Sequence, residues 1–149
     1  MHHRTTAIGL ATALFLTACS SSGDDADSKP SPYSANLAKD WGPTFTSLTD
    51  TEPTLCNLVG DQACADHVSA IASNANDLED VIEKTGASYP RTKIKIMEIV
   101  NSATSYTVHE CSGDENAGIE GSPCPDDVFQ VRAGAEALPF TLEADEAAQ

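Results

Sequence analysis

The chain has 149 residues, 40% hydrophobic but only 5% aromatic, with a formal net charge of -15. That charge excludes nucleic acid as a partner, because such binding depends on cations that neutralise phosphates. One Trp, three Tyr and four Phe leave the core to be built from Ile, Val, Leu and Ala.

The first 18 residues, MHHRTTAIGLATALFLTA, have the layout of a signal peptide. Arg4 gives a basic start, Ala7 to Leu16 is an uncharged apolar run, and small residues close the segment. The run is too short to span a bilayer, which takes about 20 apolar residues. The stretch that follows, Leu16-Thr17-Ala18-Cys19, resembles the lipobox of bacterial lipoproteins. The resemblance implies that the Cys19 thiol carries a diacylglyceryl group and that the chain is cut just before it. The protein would then be extracytoplasmic and held to the cell membrane by acyl chains. Each buried methylene contributes about 0.8 kcal/mol, and two or three chains on one residue suffice for stable attachment. Loss of Arg4 with the leader takes the net charge from -15 to -16, with seven Lys and Arg against 23 Asp and Glu.

Residues 19–32 follow as the lipidated cysteine and a tether. Ser20 to Pro32, SSSGDDADSKPSP, has nothing apolar to bury and reaches roughly 20 Å as a flexible coil. The helical domain is expected over 33–132. Tyr33, Leu37, Trp41, Phe45 and Leu48 recur at helical spacing. Gly42-Pro43 falls inside this run, and an interior proline predicts a kink or a break into two short helices. Leu55, Leu58 and Val59 are expected to cover one end of the bundle.

The clearest element runs from Asp61 to Thr85. Cys64, Val68, Ile71, Ala75, Leu78 and Ile82 form one stripe, spaced by four, three, four, three and four residues. Asp61 suits the N-cap, and Lys84 with Gly86 supplies a C-terminal stop. Asp77, Glu79, Asp80 and Glu83 read as a solvated face.

A third helix is expected after Tyr89-Pro90, since proline favours a first helical position. Ile96, Ile99, Val100, Ala103 and Tyr106 carry its pattern. Thr92 to Ile96 alternates with period two, and Thr104 to Val108 is rich in strand formers. Helix is preferred because a lone strand would have no partner. The loop Ser112 to Asp127 is acidic, but a calcium loop is not expected: Gly118 stands where that pattern needs an oxygen ligand. The acidic tail 133–149 has no basic residue and is expected to be disordered, with Leu138, Phe140 and Leu142 able to dock.

The expected fold is therefore all-α: an up-down-up bundle of about three helices, closed at one end by disulfides. Cys56, Cys64 and Cys111 fall at helix ends on one side of such a bundle, and Cys124 lies in a loop that reaches them. With Cys19 set aside, four cysteines remain in an exported chain, and two disulfides are expected. Three connectivities are open. The reading leans to Cys56–Cys64 and Cys111–Cys124. The alternative is a metal held by Cys64, His67, His109 and Cys111, a two-Cys, two-His set of the structural zinc type. The usual opening pair of closely spaced cysteines is missing, so no metal or other cofactor is expected.

Lys84, Arg91, Lys93 and Lys95 hold four of the seven mature cations within twelve positions. They surround the turn between the second and third helices, at the end where the tether enters. The cluster can face an anionic membrane, where each cation contributes about 1 kcal/mol, or can balance Asp80 and Glu83. No Gly-x-Ser-x-Gly, phosphate-binding glycine loop or His-Glu-x-x-His is present. The expected function is non-enzymatic: a binding or interaction module with a protein partner at the cell envelope. A ligand- or metal-binding accessory role is the alternative.

Overall fold

The computed structural model describes residues 36–50 and 55–149. The leader, Cys19, the tether, Tyr33 and Glu52-Pro53 lie outside the described residues. These hold four helices: α1 (Leu37–Asp50), α2 (Gln62–Thr85), α3 (Pro90–Val108) and α4 (Cys124–Glu146). The all-α class agrees with the sequence pattern, but the bundle has one helix more than expected.

Each helix answers to local chemistry. In α1, Asn36 Oδ1 accepts the Lys39 backbone N–H at 2.8 Å and so caps the first turn. The helix then continues through Pro43 as one element. It is not broken, so of the two expected alternatives, a kink or two short helices, the second is corrected. Gly42 is buried at this point, and the Cβ it lacks would lie 3.8 Å from Pro139 Cβ. The proline-bearing stretches of α1 and α4 thus pack on each other.

All six residues of the α2 stripe are buried. Asp61 has the extended backbone of an N-cap but makes no side-chain capping bond. Gly86 ends α2 with φ 68°, the left-handed conformation that a residue with a Cβ resists. Only three residues separate it from Pro90, so α2 and α3 are antiparallel neighbours. The period-two stretch at Thr92 lies within α3 and is helical.

The largest departure is α4. The tail 133–149 is not a disordered appendage. It is the second half of a helix that packs on the other three, and the expected domain boundary at residue 132 falls in its middle. Cys124, Val128, Val131, Ala135, Leu138, Leu142 and Asp145 are buried at spacings of four, three, four, three, four and three. Leu138 and Leu142 dock as the pattern allowed, whereas Phe140 is 71% exposed. Helix α4 runs antiparallel to α3, because Thr92 meets Asp145 at one end and His109 meets Asp127 at the other. It is antiparallel to α1 as well, with Ala38 beside Glu146. The order is up-down-up-down around a core of Phe45, Ile71, Leu78, Ile96, Ile99 and Leu138.

Close packing reaches its limit at Gly134. A Cβ there would sit 2.5 Å from Ile99 Cγ1, so the residue sets the approach of α4 to α3. Among the described residues, no helix is long and apolar enough to cross a membrane.

Candidate functional site

The bundle has two chemically different ends. One end joins the start of α2, the end of α3 and the start of α4, and it carries both disulfides. Cys56 bonds to Cys64, and Cys111 bonds to Cys124. This is the sequential connectivity. The first bridge fastens the segment before α2 to the first turn of that helix. The second closes the loop between α3 and α4.

The two loops are also sewn to each other. Tyr106 Oη donates to the Val59 carbonyl at 2.6 Å, and the Gly113 N–H donates to the Gly60 carbonyl at 2.8 Å. A Cβ on Gly60 would come within 2.1 Å of the Asp114 carbonyl oxygen, so only glycine fits this crossing. Asp114 Oδ1 accepts the Asn116 N–H and tightens the turn that follows. Ala117 is fully buried beneath it. Burial pushes the Tyr106 phenol up, and the nearby Asp61 carboxylate pushes it in the same direction.

The outer surface of this end is acidic and apolar together. Residues 55–67 and 108–127 contain no Lys or Arg. They contain Asp61, Asp66, Glu110, Asp114, Glu115, Glu120, Asp126 and Asp127, and all but the half-buried Asp127 are exposed. Among them Leu58 is 66% exposed, Val108 71% and Ile119 57%, with Phe129 at 65% on the second turn of α4. A shallow groove of about 660 Å³ runs between the two loops, lined by Leu58, Asp61, Asp114 and Glu115. A second groove of about 730 Å³ separates α2 from α3 and presents Ser69, Ser73, Thr104 and Thr107. Thr104 and Thr107 turn their hydroxyls onto carbonyls of their own helix.

The alternative ligand set of Cys64, His67, His109 and Cys111 is not assembled. Both cysteines are spent in disulfides, whose sulfurs lack the thiolate charge that binds zinc. His67 is half-buried on α2, and its protonation is disfavoured first by burial and second by the Arg132 guanidinium. His109 instead pairs with Asp127, with Nδ1 2.7 Å from Oδ2.

At the opposite end Arg91 sits by the last turn of α4, whereas the Lys95 side chain runs alongside Gly134 in the middle of that helix. Helix α4 brings Glu143, Asp145 and Glu146 to the same end, which the sequence pattern did not anticipate. Arg91 lies 3.5 Å from Asp145 and donates to the Ala144 carbonyl at 3.0 Å. Lys95 pairs with Glu98. Among the described residues Lys84 and Lys93 make no ion pair. The balancing partners are thus acids of α3 and α4 and not Asp80 and Glu83.

No family model matches the chain, and no curated protein or solved structure is similar to it.

Proposed function

We propose that the protein is a lipid-anchored extracytoplasmic lipoprotein and a non-enzymatic binding module, and that its disulfide-braced end docks a protein partner at the cell envelope. The single observation that carries the docking surface is the coincidence of exposed Leu58, Val108, Ile119 and Phe129 with a dense field of carboxylates and no cation in residues 55–67 and 108–127. Leu58, Val108 and Ile119 among these carboxylates suit a partner with an apolar contact and a basic rim, while Phe129 shares a groove with Arg132. The disulfides and the Tyr106 and Gly60 tethers hold the surface rigid, which lowers the entropic cost of binding. Disulfides persist in oxidising compartments, which supports an extracytoplasmic place.

Cys19 and its lipobox supply the anchor in this reading. The fold supports the orientation, because α1 begins at the end opposite the disulfides. Lys84 and Lys93 then face the membrane and the acidic surface points away from it.

The test places a photo-crosslinking residue at Ile119 in intact cells, with a second at Ser88 as the control end. The expected result is one discrete protein adduct from Ile119, lost with Glu115→Lys and Glu120→Lys together. An absent adduct, or the same adduct from both positions, overturns the docking surface. Cys19→Ser tests the anchor separately: it should shift the protein from the membrane fraction to the aqueous one and abolish fatty-acid labelling.

A further inference from the structure

The Cys111–Cys124 bridge is flanked by a second pair of chemically active groups. His109 and Asp127 are hydrogen-bonded beside it, and one ligand atom each from His109, Cys111 and Asp127 lies within 4.8 Å of the others. Cys124, bonded to Cys111, holds a second sulfur next to this group, outside the 4.8 Å set. Among the described residues, this is the one group of three or more such side chains. The Cys56–Cys64 bridge belongs to no such group among the described residues.

We propose that this cluster is a redox-masked metal site: reduction of Cys111–Cys124 exposes two thiolates, one imidazole and one carboxylate to a zinc-class divalent cation. The donor set is of the borderline-soft kind that zinc takes in tetrahedral geometry. Such geometry holds ligand atoms roughly 3.3 to 3.8 Å apart, so His109, Cys111 and Asp127 need only small side-chain rotations, whereas Cys124 must swing in once its bond to Cys111 is broken. The positions do not depend on the bridge itself. His109 ends α3, with its N–H bonded to the Ser105 carbonyl. Cys111 donates its N–H to the Tyr106 carbonyl, and Tyr106 is fixed in turn by Val59. Cys124 and Asp127 share one face of the first turn of α4, three residues apart. The positive end of the α4 dipole favours negative charge there.

The electron balance is simple. A dithiol reductant gives two electrons and two protons to the bridge and leaves as its own disulfide, and Cys111 and Cys124 become thiols. The cation then displaces the two thiol protons. A disulfide-donating oxidant reverses the step and expels the cation. The loop from 111 to 124 is closed in both states, by a covalent bond in one and by a metal in the other. This site lies in the same disulfide-braced end as the docking surface proposed above, but its metal-binding test does not depend on that reading.

The experiment uses the protein as isolated from cells, reduced under argon with a phosphine, desalted and titrated with Co²⁺ alone. One equivalent should give the charge-transfer and visible bands of a tetrahedral thiolate complex, and Zn²⁺ should displace it. The double variant Cys56→Ser/Cys64→Ser should keep the bands. His109→Ala and Asp127→Ala should each weaken binding about tenfold or more, and the oxidised protein should show no such bands. Helicity is followed in parallel. If the reduced chain unfolds, one equivalent of metal must restore its helix. The proposal is overturned by absent tetrahedral bands, by failure of the metal to restore lost helix, or by bands that survive Cys124→Ser but vanish with Cys56→Ser/Cys64→Ser.

Discussion

Asp145 Oδ2 accepts two hydrogen bonds from Thr92, one from the backbone N–H and one from the hydroxyl, each 2.9 Å long. Both residues are buried, Thr92 fully and Asp145 to within 2%. The last turn of α4 therefore caps the first turn of α3 across 53 residues of sequence. The next residue repeats the device: Glu146 Oε1 accepts the Ala38 N–H at 2.9 Å in the first turn of α1. Two consecutive carboxylates thus satisfy orphan donors on two neighbouring helices and face the positive ends of both dipoles.

Asp145→Ala should therefore be costly. It leaves the Thr92 N–H and hydroxyl without an acceptor in a buried place, a loss of about 3 kcal/mol. Asp145→Asn keeps one acceptor oxygen and should cost about 1 kcal/mol. Arg91→Ala should cost less than about 1 kcal/mol, since its side chain is 60% exposed. Urea unfolding of the three variants checks the order. A loss under about 0.5 kcal/mol for Asp145→Ala would remove Asp145 from this role.

The same capping explains why α4 was hard to read. Its buried stripe is regular, but Pro125, Gly134 and Pro139 interrupt the helix signals, and the acidic end looks wrong for a helix C-terminus. Those acids serve other helices, a tertiary relationship that no local pattern carries. Helix α2 was legible for the opposite reason. Its stripe from Cys64 to Ile82 and its stop at Gly86 are local features, and no neighbour overrides them. The two disulfides followed from the even number of cysteines left after Cys19. Their pairing needed the fold, as did the meeting of His109 with Asp127. Cys19 and the lipobox lie outside the described residues, so the anchor rests on the sequence.

Because α4 is core, shortening it should unfold the protein. Removal of residues 133–149 takes away fully buried Ala135, Leu138 and Leu142 and uncovers Ile99. Leu138→Ala alone should cost about 3 kcal/mol from lost burial and a residual cavity. Circular dichroism of the truncated chain should show lost helix well beyond the deleted segment. Retention of α1 to α3 with a cooperative transition would mean that the tail is dispensable.

The approach of α4 to α3 can be tested at Gly134. Gly134→Ala places a Cβ against Ile99 Cγ1 and should cost about 1 to 3 kcal/mol through overpacking. Ile99→Ala should cost about 3 kcal/mol by itself. In the double variant the new methyl enters space that Ile99 vacated, so its loss should fall short of the sum of the two single losses by 1 kcal/mol or more. Strict additivity would show that these residues do not limit the helix spacing.

The bridges themselves should differ little in stability. Cys111 and Cys124 are 13 positions apart, and Cys56 and Cys64 are eight apart. In the chain-entropy model these loops contribute about 3 and about 2.5 kcal/mol. Replacing either pair by serine should lower the urea midpoint and leave the slope equal or larger, because the unlinked denatured chain is more expanded. A smaller slope would mean that unfolding is no longer a single cooperative step.

His67 sets a direction for acid stability. Burial first, and the Arg132 guanidinium second, hold its imidazole below the ordinary histidine value of 6.5. The unfolded chain then binds the proton more readily than the folded one. This contribution to stability is fully present above pH 6.5 and is lost as pH falls through 6.5 towards the lower folded value. Stability should rise with pH across that window. His67→Gln cannot take up the proton and should flatten that part of the profile. Thermal unfolding from pH 5 to 8 on both proteins measures the difference. Identical slopes would show that folding does not disfavour protonation of His67.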